Sequence, residues 1–69
     1  MNADIEHYVG RIVRLRQQVF RAVRERARRQ GVSLENSFIV TEVKRGVKKL
    51  VCYGASFRIE VAVADVVLV

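Results

Sequence analysis

Residues 4–30 read DIEHYVGRIVRLRQQVFRAVRERARRQ, and the periodicity assigned to this stretch decides the fold. Ile5, Tyr8, Val9, Ile12, Val13, Leu15, Val19, Phe20, Ala22, Val23 and Ala27 recur at three- and four-residue spacing, the pattern of an amphipathic helix. The spacing predicts one long helix over about 4–30. Asn2 or Asp4 is placed to cap its start. Asp4 and Glu6 suit the positive end of the helix dipole, Arg28 and Arg29 suit the negative end, and Gly31 is placed to terminate it. Gly10 opposes the helix, at about 1 kcal/mol relative to alanine.

The same stretch concentrates the charge. Between Arg11 and Arg29 stand eight arginines (Arg11, Arg14, Arg16, Arg21, Arg24, Arg26, Arg28, Arg29), no lysine and one acid, Glu25. A guanidinium stays charged at any physiological pH, and its planar fork of donors fits phosphate or carboxylate. At about 100° per residue the apolar set spans roughly half the helix circumference, wider than one sheet requires, so part of it is expected to meet a second subunit. Arg14, Arg21 and Arg28 then fall nearly in line on the opposite side, flanked by Arg11 and Arg24. Arg16 and Arg26 fall within the apolar half and are expected to snorkel or pair.

After the polar turn Gly31–Asn36 the composition changes to valine, isoleucine, phenylalanine and tyrosine, which reads as strands over about 37–44, 47–53 and 57–64. A two-residue loop at Arg45-Gly46 would set Glu42 opposite Lys49, Val40 opposite Val51 and Phe38 opposite Tyr53. A second turn at Gly54-Ala55-Ser56 would put Phe38, Val40, Val51, Tyr53, Phe57, Ile59, Val61 and Val63 on the face that the helix covers. Ile39, Thr41, Val43, Lys48, Leu50, Cys52, Arg58, Glu60 and Ala62 would then lie on the other. Residues 65–69 form an apolar extension expected to lengthen the sheet or to pair with another subunit's edge. The expected fold class is α+β: one long N-terminal amphipathic helix packed on a three-stranded antiparallel β-meander, α-β-β-β, in a single domain over 1–69.

The whole chain agrees with a small folded module. It has 69 residues, 51% of them hydrophobic and 29% charged, near the lower size limit for one self-sufficient core. That much apolar material favours a homo-oligomer, a dimer or higher. The net charge of +6 points to polyanionic partners. One cysteine, Cys52, excludes an internal disulfide framework and fits a cytoplasmic setting, and neither a Cys/His metal pattern nor a membrane-spanning apolar run is present, so no metal, cofactor or membrane partner is expected.

Catalysis requires converging groups, and the single histidine, His7, lies far along the chain from Cys52 while the acids show no paired-carboxylate spacing. A non-enzyme is expected. The stretch Phe38-Ile39-Val40-Thr41-Glu42-Val43-Lys44-Arg45-Gly46, followed by Phe57-Arg58-Ile59-Glu60, resembles the strands of dodecins, small flavin-storing oligomers in which a sheet wraps a helix. The chain has no tryptophan to match that family's flavin-stacking one and, read this way, no strand ahead of its helix, so no flavin site is transferred.

Two functions follow from the residues. One is a binding module presenting arginines to a polyanion, above all nucleic acid, with Arg11, Arg14, Arg21, Arg24 and Arg28 on the helix and Lys48 and Lys49 at the hairpin as contact residues. No helix-turn-helix pair, zinc spacing or aromatic RNA-stacking motif accompanies them, so contacts would be backbone-led, and Phe38, Tyr53 and Phe57 are assigned to the core. The other is a protein-interaction module, a small regulator, inhibitor or assembly factor that binds an acidic or hydrophobic surface of a partner protein.

Overall fold

Gly10 ends the reading of residues 4–30 as one helix. The computed structural model describes residues 4–69, so the cap expected from Asn2 lies outside the described residues. Gly10 has φ +83°, a left-handed conformation that breaks helical continuity, and its N–H donates to the Val40 carbonyl at 2.8 Å. Upstream, among the described residues, lies a short 3-10 helix, Asp4–Tyr8. Downstream runs strand β1, Ile12–Leu15, with Val13 and Leu15 buried and Ile12 and Arg14 exposed. The helix proper, α1, is Gln17–Arg29.

Four further strands follow: β2 Phe38–Lys44, β3 Lys49–Gly54, β4 Phe57–Ala62 and β5 Val66–Leu68. All pair antiparallel in one sheet of order β4-β3-β2-β1-β5. The expected α-β-β-β class is therefore corrected to one internal helix and a five-stranded antiparallel sheet. The cause is local ambiguity resolved by tertiary pairing. Apolar residues at 12, 13 and 15 fit a helical period and a strand period alike, and two are β-branched. Ladders on both sides decide: Val13 pairs with Phe38 of β2 and Leu68 of β5, and Leu15 with Val66. The apolar segment 65–69 supplies that second ladder.

The β2–β3 register also departs from expectation. The hairpin closes over Arg45–Lys48, not Arg45-Gly46 alone, through a 3-10 turn at Arg45–Val47 and a left-handed Lys48 with φ 53°. Lys44 faces Lys49, Val43 faces Leu50 and Glu42 faces Val51. The register then shifts between Val40 and Glu42, leaving Thr41 as a bulge, so Val40 faces Cys52 and Ile39 faces Tyr53. A one-residue slip reverses which face a side chain occupies. Leu50 and Cys52, assigned to the outside, are fully buried, whereas Tyr53, assigned to the core, is 37% exposed. Val51 points away from Leu50 and Cys52 and is buried nonetheless.

The sheet must curl. β4 and β5 are its two edges, roughly 19 Å apart if four strand spacings lay flat. Only the 3-10 turn Val63–Asp65 joins them, a link that spans at most about 14 Å fully extended. The Val63 N–H donates to the Lys48 carbonyl and the Arg16 N–H to the Asp65 carbonyl, at 3.1 and 2.9 Å, which fixes the link at both ends. Inside the curl lie Val13, Leu15, Phe38, Val40, Leu50, Cys52, Ile59, Val61 and Val66. The α1 face carrying Val23 and Ala27 covers them, and Phe20 meets the Phe38 ring edge-on at 6.3 Å.

Asn36 completes the β1–β2 ladder with its side chain. Its Nδ2 donates to the Leu15 carbonyl and its Oδ1 accepts from the Leu15 N–H, at 2.9 and 2.8 Å, so its amide plays the part of a strand backbone one step beyond Val13 and Phe38. Asn36→Ala removes both bonds and is expected to lower the unfolding free energy by about 1–3 kcal/mol in a denaturant titration. A second prediction concerns the β3–β4 turn. Ala55 and Ser56 sit at φ 50° and 67°, a pair of left-handed residues of the kind that type I′ turns fill with Asn-Gly. Ala55→Asn with Ser56→Gly should therefore stabilise by about 1–2 kcal/mol, raising Tm by roughly 5–10 °C.

Candidate polyanion-binding groove

The arginines no longer share one helix. Arg11 precedes β1, its carbonyl accepting from the Val40 N–H, and Arg14 lies within β1. The seven-residue alignment of Arg14 with Arg21 and Arg28 along a helix is thus corrected, because the strand period applies before residue 16. Five arginines stay on α1: Arg21, Arg24, Arg26, Arg28 and Arg29.

Three of the residues singled out from the sequence, Arg14, Arg24 and Arg28, nonetheless line hollows along α1. The chain leaves α1 through Gly31, whose φ of +79° ends the helix, with the Gly31 and Val32 N–H groups satisfying the Arg28 and Ala27 carbonyls. It then returns along the helix toward Leu15, where Asn36 is held. One concavity at the C-terminal end of α1 is lined by Arg24, Arg28, Gly31, Val32, Ser33 and Leu34. Another, at the N-terminal end, is lined by Arg14, Leu15, Gln17, Phe20, Asn36 and Val67. Gln17, Phe20, Arg24 and Arg28 succeed one another at helical spacing, so the two hollows lie in succession along one flank of α1 and adjoin where Arg24 contacts Phe20; we call this flank the groove. It runs about 16 Å along the helix from Gln17 to Arg28.

The electrostatics of the groove are uneven. The Arg24 guanidinium carbon lies 5.5 Å from the Phe20 ring centroid, a cation–π contact that ties it to the apolar wall. Arg28 bonds Glu25 at 2.6 Å, and Glu25 also lies 3.9 Å from Arg29. The Arg28 hydrogen bond holds the Glu25 carboxyl below its ordinary range. Among the described residues, Arg14, Arg21 and Arg24 have no carboxylate within salt-bridge distance.

The other cations are engaged in different ways. Arg16 donates from Nε to the Ala64 carbonyl at 2.8 Å, and Arg26 lies over Phe57 at 5.7 Å, so both close the margin of the core. Lys44 and Arg58 share Glu60, at 2.5 and 3.4 Å, and Arg45 pairs with Glu6. The Lys44 contact is the main reason the Glu60 carboxyl is held low. Lys48 and Lys49 are exposed at the hairpin tip. Through Val63–Asp65 that tip is tied to Arg16, though neither lysine lines the groove.

Sequence reasoning overlooked Gln17, Phe20, Ser33 and Asn36 as lining residues. Phe20 and Arg24 at i, i+4 offered a signal, since that spacing stacks side chains on a helix. The return of Ser33 and Asn36 along the helix had none.

Comparison with protein-family models, with curated proteins and with solved structures finds no match. Among the described residues no helix is long and apolar enough to cross a membrane, and no three His, Cys, Asp or Glu side chains cluster to hold a metal. Cys52 is fully buried, and burial pushes its thiol up to about 11. At pH 8 the native protein should therefore react with a thiol-specific disulfide reagent at least about 100-fold more slowly than the protein in denaturant, as followed by absorbance.

Proposed function

We propose that this protein is a small non-enzymatic module that binds a polyanion, with nucleic acid as the class its surface suits best. The observation that supports this reading is the placement of Arg14, Arg24 and Arg28 on two adjoining hollows along one flank of α1, with the Phe20 ring between them. Successive guanidiniums along a groove suit successive phosphates, and the Phe20 ring keeps Arg24 oriented at little entropic cost. Arg28 is exposed, and an exposed ion pair is worth about 0–1 kcal/mol, so Glu25 yields readily to a phosphate. Arg21 adjoins on the outer side of α1. Arg11, Lys48 and Lys49 lie outside the groove and would add longer-range attraction.

A protein-interaction module is the second reading, favoured by β5. That strand is a sheet edge, and Val67, Leu68 and Val69 are 48%, 42% and 64% exposed, a surface on which a partner strand or an apolar patch would dock.

Fluorescence anisotropy with labelled oligonucleotides separates the two. The nucleic-acid reading expects affinity to fall linearly in log–log form between about 50 and 200 mM salt. Converting Arg14, Arg24 and Arg28 together to alanine should reduce the slope by about two to three. Absence of binding at the low-salt end, or an unchanged slope in the triple variant, would reject it.

A further inference from the structure

The bulge at Thr41 puts Tyr53 on the outer surface of the sheet, beside Ile39, and creates a row that crosses four strands. Ile12 faces Ile39, Ile39 faces Tyr53, and Tyr53 faces Arg58. Exposures of 42% for Ile12, 41% for Ile39 and 37% for Tyr53 leave a strip of apolar and aromatic surface about 10 Å long in water. Arg58 closes one end of the row. On the same outward face of β1, two residues from Ile12, stands Arg14, which also lines the groove. Arg14 is therefore common to the groove and to the outer face that carries Ile12, Ile39, Tyr53 and Arg58.

We infer that this outer face is a stacking platform for unpaired bases, so that the ligand of the groove is single-stranded nucleic acid. The inference deepens the proposed function and rests on it. The pattern of the row favours bases over a protein. A protein interface concentrates a broad apolar patch whose core is depleted of charge. Here an aromatic ring stands between Ile39 and Arg58, Arg14 stands on the same face two residues from Ile12, and the apolar surface continues from Ile12 to Val69 at the end of β5; a ring set among guanidiniums befits flat bases carried on a phosphate chain. Duplex offers no exposed base faces to such a strip, while a single strand offers one per nucleotide. Arg58 is available for this role, because its contact with Glu60 is at 3.4 Å between half-exposed groups and Glu60 is held more closely by Lys44.

The chain has two tyrosines and no tryptophan, so Tyr8→Phe leaves Tyr53 as the reporting fluorophore. Oligo-U and oligo-dT of about 12 nucleotides should quench Tyr53 in that variant, and an abasic strand of equal length should not. Both oligomers should bind at least about 10-fold more tightly than the abasic strand or a matched duplex, consistent with stacking of one or more bases. Comparing the two oligomers tells RNA from DNA. Tyr53→Ala should erase the preference while keeping the abasic affinity, and Tyr53→Phe should preserve it.

If all four ligands bind alike, with an arginine-dependent salt slope and no quenching, the platform is refuted and the groove stands. If nothing binds, both are refuted. Self-association that Tyr53→Ala abolishes, without any base preference, assigns the face to a second copy of the chain and also overturns the inference.

Discussion

The capture of β1 between two partners is the constraint on which the rest of the molecule depends. Its four residues carry ladders on both sides, to β2 and β5, and its last residue is held by the Asn36 side chain on one side and by Val66 on the other. Once Leu15 is fixed there, Arg16 adopts φ −59° and ψ 149° and α1 can begin only at Gln17. The Arg16 N–H reaches Asp65, and the three-residue link from β4 to β5 can then close only over a curled sheet. The curl makes a core from strands of three to seven residues, and α1 covers its open side. The groove is a by-product of the same geometry, because a chain leaving α1 at Gly31 must return along the helix to deliver Asn36 to Leu15.

So small a core needs help at its margins, and arginine supplies it. No polar or charged side chain is buried among the described residues. Phe20 and Phe57 instead lie at the rim, each under a guanidinium, Arg24 and Arg26 respectively. Stacking of this kind shields ring surface while leaving the charge hydrated, and a lysine ammonium, compact and strongly hydrated, does it less well. Arg16 uses its Nε–H on the Ala64 carbonyl at the closure. The arginine-rich stretch therefore divides. Arg16 and Arg26 serve the fold, Arg28 and Arg29 share Glu25, and Arg14, Arg21 and Arg24 have no carboxylate partner among the described residues.

How legible this was follows from where the periodicities are unambiguous. The α1 segment from Val19 to Ala27, with apolar residues at 19, 20, 23 and 27, supports only a helix, and Gly31 ends it. The strands after residue 37 were legible from their β-branched and aromatic content. Residues 12–15 were not, since four residues cannot distinguish a period of 3.6 from one of 2 and the deciding hydrogen bonds come from residues 38–39 and 66–68. Nor was the Thr41 bulge, because nothing in Val40-Thr41-Glu42 marks an extra residue. Of the groove, the arginines were visible as a class, but their grouping depended on the return of residues 31–36, which leaves no pattern in the sequence.

One unpaired residue links the core to the outer face. Without the bulge, the hairpin pairing that sets Glu42 against Val51 would continue, and Val40 would stand opposite Tyr53 instead of Cys52. Inward residues of β2 would then oppose outward residues of β3, which antiparallel pairing does not allow, so β3 would have to turn Tyr53 inward and Cys52 outward. A tyrosine hydroxyl in a core with no buried polar side chain would need a partner that the surrounding valines, leucines and isoleucines cannot provide. The bulge avoids that conflict: it admits the compact Cys52 beside Val40 and Ile59 and sends the larger, polar-tipped ring outward. The exposure of Tyr53 is thus a consequence of packing the interior, and the aromatic surface beside Ile39 and Arg58 comes from the same irregularity that lets the core close.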